Sequence, residues 1–121
     1  MSYTDRTASL LSRMRQAAVD ANLLVEGADK ADFLKNIMLN RSVGMSLLMA
    51  SEIAAQIMRV DPAFVAEHPD FPWSAMRGMR NRIAHNYFDI DLERIWDTAI
   101  NDVPNLIEAL DAITNWRAQG E

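Results

Sequence analysis

Apolar residues recur along most of the chain at spacings of three and four positions, which is the period of an amphipathic α-helix. The first apolar stripe consists of Leu10, Met14, Ala17, Ala21 and Leu24. This helix is predicted to end near Gly27, because glycine readily adopts the left-handed conformation that closes many helices. No segment alternates between apolar and polar positions, and no Asn-Gly or Asp-Gly hairpin turn occurs. The pattern therefore predicts helices and no strands.

The middle of the chain predicts one long second helix. It begins between Asp29 and Asp32 and ends near Arg59, and it is apolar on almost every side from Val43 to Met49. We expect such a helix to be buried by its own fold on one side and by a second subunit on the other.

Proline residues delimit the next two helices. Asp61-Pro62 provides an N-cap and a proline at the first helical position for a short third helix, and His68-Pro69 ends it. A fourth helix begins after Asp70 and Pro72 and continues to about His85, with apolar residues at helical spacing.

The last helix is predicted to begin after Asp91, which can cap it. Pro104 should bend this helix, because proline removes a backbone donor and crowds the preceding turn. Its apolar stripe consists of Ile95, Ala99, Val103, Leu106, Leu110 and Ile113. The sequence thus predicts an all-α fold, an antiparallel up-and-down bundle of four long helices and one short helix.

Length and composition favour one soluble domain over residues 1–121, since half of the 121 residues are apolar. There is no run of eighteen apolar residues, and the N-terminus lacks the pattern of a secretory signal, so we expect a cytoplasmic protein. The chain has no cysteine, which excludes disulfides and thiolate chemistry, and two histidines make a poor zinc site. We expect neither a metal nor a cofactor.

The charge is unevenly distributed. A formal net charge of -5 argues against a nonspecific nucleic-acid binder, because Lys and Arg normally supply most of that affinity by neutralising phosphates. Between Phe71 and Tyr87, however, the chain has Arg77, Arg80 and Arg82 and no acidic residue. This basic segment predicts a confined site for an anion.

The same segment carries the most versatile chemical groups. In a continuous helix, about 140° would separate His85 from Arg80 around the axis, which is too far for both to contact one small ligand. If the helix ends near His85, the side chains of Arg80, His85 and Tyr87 can converge on one pocket. Asn86 favours that ending, because asparagine tolerates the left-handed conformation.

Arg80, four intervening residues, His85, one residue and Tyr87 match the signature R-x4-6-H-x-Y. With these residues the chain resembles the HepT-like ribonucleases of the HEPN superfamily, and the resemblance extends from about residue 10 to residue 113. The flanks that carry it are Phe71-Pro72-Trp73, Met76 to Arg82, His85 to Phe88, Ile95-Trp96 and Val103-Pro104 with Leu106. Two positions depart from the family pattern: Asn86 replaces a usual glycine, and Ser51-Glu52-Ile53 replaces a usual Gly-Glu-Ala.

The resemblance implies an RNA endonuclease that needs no metal. RNA carries its own nucleophile, the 2'-hydroxyl, so the enzyme supplies a proton acceptor or donor and a cation for the phosphate. His85 suits the first role and Arg80 the second, and Asn81 can orient His85 or the phosphate. Arg77 and Arg82 are interpreted as RNA-positioning cations. Because each subunit has one such histidine, the resemblance implies a homodimer in which two motifs face each other.

The resemblance also implies a partner. This is an MntA-like minimal nucleotidyltransferase antitoxin, which neutralises the toxin by transferring AMP to Tyr87. Two other functions stay open at this point. The chain can be a non-catalytic helical partner or substrate-binding subunit of a nucleotidyltransferase, with Tyr87 as the acceptor, or a dimeric adaptor without chemistry.

Three other features have structural interpretations. Glu52 is either a solvated helix residue or, if buried, the partner of an arginine of the motif. His68 is interpreted as structural or solvent-facing. The methionine-rich stretch from Met45 to Met58 is interpreted as core or dimer interface rather than as a ligand pocket.

Overall fold

A computed structural model describes the backbone of residues 5–120 and the side chains of that range except those of Tyr87 and residues 115–120. The described residues form helices and turns and contain no strand, which confirms the all-α class. In chain order the helices are α1 (Asp5–Val25), α2 (Lys30–Lys35), α3 (Ile37–Val60), α4 (Pro62–Glu67), α5 (Trp73–His85), α6 (Leu92–Asp97) and α7 (Val103–Gly120). A 3₁₀ turn (Tyr87–Asp89) follows α5, and a π-helical turn (Thr98–Asp102) joins α6 to α7.

Helix α1 ends as its sequence predicts. Gly27 has a φ of 78°, the left-handed conformation, and the N–H of Ala28 donates to the carbonyl of Val25 at 3.1 Å. The first four residues of the predicted stripe are buried, but the assignment of Leu24 to it is wrong, because Leu24 is exposed. Val25 takes its place in the core, since it lies four positions after Ala21 and therefore on the same side of the helix.

The predicted second helix is divided into α2 and α3 at Asn36. Asn36 has φ -91° and ψ 99°, and its Oδ1 accepts a hydrogen bond from the N–H of Leu39 at 3.1 Å. Its own N–H donates to the carbonyls of Asp32 and Phe33. The buried Asn40 side chain donates to the carbonyl of Phe33 at 3.2 Å. Asparagine side chains thus replace the backbone hydrogen bonds that a continuous helix would make here.

The short helix α4 begins and ends at the predicted residues. Asp61 caps it by accepting a hydrogen bond from the N–H of Phe64 at 3.1 Å, and Thr7 of α1 donates to the same carboxylate at 2.6 Å. His68 ends α4, and its carbonyl accepts from the indole N–H of Trp73 at 2.9 Å. The His68 side chain is buried, and the centroid of its ring lies 4.5 Å from that of the Phe64 ring. This histidine is therefore structural rather than solvent-facing.

The last helical segment begins at its predicted cap, where Asp91 accepts a hydrogen bond from the N–H of Arg94 at 3.2 Å. The predicted irregularity takes the form of the π-helical turn, in which the N–H of Val103 donates to the carbonyl of Thr98. Pro104 follows directly and has no N–H to continue the regular pattern. The whole predicted stripe from Ile95 to Ile113 is buried.

Helix α3 is the centre of the bundle, with α1 and α5 packed against it and α7 packed against α1. Its inner face is buried, but Met38, Met45 and Met49 on its outer face are 79%, 56% and 50% exposed. Among the described helices, α3 is the one long and apolar enough to cross a membrane by length and composition, and 44% of its most apolar stretch is buried inside the fold. The fold of one chain therefore covers only one side of α3.

Candidate active site

Helix α5 orients the polar residues of the motif by burying its opposite side. Its buried residues, which pack mainly on α3, are Trp73, Met76, Met79 and Ile83. Helical spacing then leaves Arg77, Asn81, Arg82 and His85 exposed to solvent, and Arg80 partly exposed at the edge of the contact with α3.

Arg80 is held in place by two neighbours. Its Nε donates to the carboxylate of Glu52 on α3, and its Nη1 donates to the side-chain oxygen of Asn81 at 3.0 Å. A guanidinium has five N–H donors in a fixed plane, so these two contacts leave one donor on Nη1 and two on Nη2. The open end of the fork is thus available for two oxygens of a phosphate.

Glu52 is therefore the partner of a motif arginine, which is the second of its two sequence interpretations. Both side chains of the pair are partly exposed, so solvent screens their attraction. The contact therefore contributes little to stability, and its main effect is to fix a flexible arginine side chain in one orientation. The described hydrogen bond of the Asn81 side chain is the one that it accepts from Arg80.

His85 is the last residue of α5 and is exposed. The helix ends at the expected residue but not by the expected conformation, because Asn86 has φ -130° and ψ 35°, outside the left-handed region. The chain instead enters the 3₁₀ turn, in which the N–H of Asp89 donates to the carbonyl of Asn86 at 2.9 Å. The backbone of Tyr87 belongs to this turn, and its side chain lies outside the described residues.

Arg80 and His85 lie within one regular helix, so about 7.5 Å along the axis and about 140° around it separate their positions. Three cavities that the structure contains are lined by neither residue. In a single chain Arg80 and His85 thus lie on the surface outside these three cavities. Among the described residues no group of three histidine or acidic side chains is arranged to hold a metal ion.

The Arg80–Glu52 pair is continuous with the exposed face of α3. Met45, Met49 and Glu52 follow one another at spacings of four and three, which places them on one side of that helix. A cavity of about 580 Å³, lined in part by Leu23, Leu24 and Met45, extends this face onto α1. Glu52 and Arg80 therefore lie at the edge of this apolar face.

Comparison with known proteins identifies related ribonucleases. A family model described as "Ribonuclease HepT-like" matches residues 14–113. "Putative RNase MJ0127" of Methanocaldococcus jannaschii is 34% identical over 82 residues, which are 68% of this chain and 65% of that protein, slightly less than two thirds of its length. "Putative RNase TTE0752" of Caldanaerobacter subterraneus is 30% identical over 68% of this chain and 70% of that protein.

"Probable ribonuclease HepT" of Thermococcus cleftensis is 27% identical over 69% of this chain and 76% of that protein. No solved structure matches the chain significantly. The matched region contains α3, α5 and the whole motif, and the resemblance inferred from the sequence is confirmed. The chain belongs to the HepT-like ribonuclease family.

Proposed function

We propose that this protein is a metal-independent RNA endonuclease that acts as the toxin of a toxin-antitoxin pair. The observation that carries the proposal is the arrangement of Arg80, whose guanidinium is oriented by Glu52 and Asn81 with three N–H donors left open, five positions before an exposed histidine. This is the pair of groups that cleavage through the 2'-hydroxyl requires.

In the proposed reaction the 2'-oxygen attacks the adjacent phosphorus while its proton passes to one histidine. The bond from phosphorus to the 5'-oxygen breaks, and a second histidine donates a proton to that oxygen. The products are a 2',3'-cyclic phosphate and a 5'-hydroxyl. Arg80 binds the phosphate oxygens through the open end of its fork and stabilises the charge that develops on them.

The second histidine comes from a second subunit. The exposed Met38, Met45 and Met49 support a twofold homodimer through the outer face of α3, because exposed apolar side chains on a long helix are stabilised when a partner covers them. Glu52 and Arg80 lie at the edge of that face, so the same contact would bring two motifs together. Arg77 extends the basic surface on the same side of α5, as an RNA-positioning cation.

The direct test is cleavage of RNA by the protein and its His85→Ala variant in the presence of EDTA. We expect the wild type to cleave and to leave a 2',3'-cyclic phosphate or its hydrolysis product. The variant should lose about 10²- to 10⁴-fold in rate, which is the usual contribution of general acid-base catalysis. His85 is exposed, so the variant should remain folded. Cleavage that stops in EDTA and returns with magnesium, or a folded variant with full activity, would contradict the proposal.

The proposed antitoxin is a nucleotidyltransferase that transfers AMP from ATP to Tyr87. The phenol oxygen attacks the α-phosphorus of ATP, the bond to the β-phosphate oxygen breaks, and pyrophosphate leaves. The backbone of Tyr87 lies in a short turn two residues after His85, between the exposed residues Asn86 and Phe88. An added adenylate would bring negative charge to the motif and compete with RNA for Arg80.

Intact-mass spectrometry after incubation with a cognate nucleotidyltransferase and ATP tests this regulation. We expect adducts of about 329 Da per AMP on Tyr87, the mass added by the group transfer described above. The Tyr87→Phe variant should remain unmodified. Neutralisation without an adduct, or adducts on another residue, would instead favour an antitoxin that covers the cleft by direct binding.

A further inference from the structure

A second cavity lies on the other flank of α5, away from Arg80. It has a volume of about 240 Å³ and separates the C-terminal half of α5 from the segment that leads into the π-helical turn. The walls include isoleucines and Met79, together with the polar residues Arg82, Asn86, Asp89, Asp91 and Arg94. The volume is sufficient for one planar heterocycle with some of its hydration water.

The four charged side chains that line this cavity make no ion pair with another described side chain. The ion pairs among the described side chains are Arg15–Asp111, Lys30–Glu93 and Arg80–Glu52, so Arg82, Arg94 and Asp89 belong to none of them. Asp91 is already used in part, because it accepts the capping hydrogen bond from the N–H of Arg94.

The charges of the lining residues identify the class of ligand. Arg82 and Arg94 balance Asp89 and Asp91, so the lining has no net formal charge. For a phosphate or an ammonium group, attraction by one pair of charges is offset by repulsion from the other pair, so neither gains a net formal-charge attraction. The isoleucines and Met79 offer apolar contacts to the faces of a ring. The lining therefore suits a neutral, planar ligand that has both donors and acceptors on its edge.

The position of the cavity relates it to the proposed chemistry. Ile83 and Asn86, which line it, lie two positions before and one position after His85. Arg82 precedes His85 by three positions, which places the two residues about 60° apart around the helix axis and one turn apart along it. A nucleotide whose phosphate lies at His85 therefore has its base within reach of the cavity.

We propose that this cavity binds one base of the RNA, a guanine next to the cleaved phosphate, and so determines where the enzyme cuts. The inference rests on the proposed ribonuclease function. Guanine carries two adjacent donors, N1–H and the N2 amino group, which match the two oxygens of the Asp89 carboxylate. Its O6 and N7 are acceptors that match the fork of an arginine, either Arg82 or Arg94.

Binding can be measured without cleavage by using short RNA analogues with 2'-O-methyl groups, which lack the nucleophile. We would compare four tetranucleotides that carry one guanine, adenine, cytosine or uracil in an otherwise constant sequence. The wild-type protein should bind the guanine analogue most tightly, by roughly five- to hundred-fold, which is the range for one bidentate base contact. Equal affinity for the four analogues, or a preference for another base, would overturn the inference.

Asp89→Asn is the decisive variant, because it exchanges one acceptor for a donor without a change of size. It should lose the guanine preference while it keeps its affinity for the other analogues. Asp97→Asn, an equal change of charge at an exposed position of α6 outside the cavity lining, is the matched control and should behave as the wild type. If Asp89→Asn does not fold, the double variant Arg82→Gln/Arg94→Gln gives the same test from the arginine side, because either arginine can contact O6 and N7. A guanine preference that survives in the folded variant would also overturn the inference.

Cleavage of an RNA of random sequence separates this inference from the proposed function. Cuts concentrated beside guanosine in the wild type, and distributed over all four bases by Asp89→Asn, support both. Cuts without base preference would refute the base pocket and leave the ribonuclease intact. If the protein binds the guanine analogue but does not cleave, the proposed function fails, and the base pocket loses its role in cleavage.

Discussion

The two longest regular helices, α1 and α3, are packed in opposite ways. Helix α1 has 21 residues and buries a single stripe, while most of its other positions are polar. Helix α3 has 24 residues and exposes Met38, Met45 and Met49 opposite its buried face. The comparison shows that the fold of one chain buries the apolar stripe of α1 and leaves Leu23 and Leu24 exposed at its end, whereas it covers α3 on one side only. The exposed side of α3 also carries Glu52, which contacts Arg80.

The largest effect should come from charges placed on the outer face of α3. We expect the double substitution Met45→Asp/Met49→Asp to produce a monomer, since carboxylates in an apolar contact lose their hydration without a partner. RNA cleavage should fall about 10²-fold or more, because each site would lose one of its two proton-transfer groups. Sedimentation and cleavage assays would measure both effects.

The matched control is Ile100→Asp, an exposed apolar residue in the π-helical turn. It should leave assembly and cleavage unchanged. A double variant that remains dimeric, or a monomer with full activity, would show that the exposed face of α3 has no part in the active assembly.

A smaller effect distinguishes the two helices by stability. Met14 of α1 is fully buried, so Met14→Ala should lower the free energy of unfolding by about 2–5 kcal/mol. Met38→Ala on the outer face of α3 should change it by no more than about 0.5 kcal/mol. Urea unfolding in the Met45→Asp/Met49→Asp background would measure both without a contribution from assembly. Equal losses would mean that the two faces are buried alike.

Local chemistry accounts for most of what the sequence predicts. The caps at Asp61 and Asp91, the left-handed Gly27 and the irregularity before Pro104 depend on hydrogen bonds over a few residues, and these can be inferred from neighbouring positions. The break at Asn36 is of the same kind. The sequence signal for this break is Asn36 followed four residues later by Asn40. The apolar residues around them favoured the prediction of one continuous helix.

The contacts of the site could be predicted only in part, because they join distant positions. Glu52 and Arg80 are 28 residues apart, so only the packing of α3 against α5 decides which arginine Glu52 contacts. The cavity beside Arg82 likewise depends on how α5 lies relative to the segment after Asp89. Spacing within α5 placed Arg80 and His85 on different faces. It could not indicate which segments of the chain lie beside each side of that helix.

The next effect is a dependence of folding stability on pH that is caused by the buried His68. Burial lowers the pKa of His68 below its ordinary value of 6.5, against a smaller opposite effect of Glu67. The unfolded chain therefore binds a proton at a higher pH than the folded chain does. Stability should accordingly fall as the pH falls through about 6.5 and below. Thermal unfolding of the wild type and of His68→Gln between pH 7.5 and 5.5 would measure this. A variant that loses as much stability on acidification would assign the effect to other groups.

The smallest effect should come from the ion pair between α1 and α7. The Nε of Arg15 donates to a carboxylate oxygen of Asp111 at 2.7 Å, and Nη2 donates to the other oxygen at 3.2 Å. The hydrogen bond and the charge of Arg15 lower the pKa of Asp111, and solvent reaches both groups. Exposed pairs contribute little, because water and salt screen them and two flexible side chains must be ordered. Asp111→Asn should therefore lower the melting temperature slightly at low salt and hardly at all in 1 M NaCl, whereas the loss from Met14→Ala should persist at both. A large loss that is independent of salt would mean that this pair, and not the buried stripe alone, holds α7 against α1.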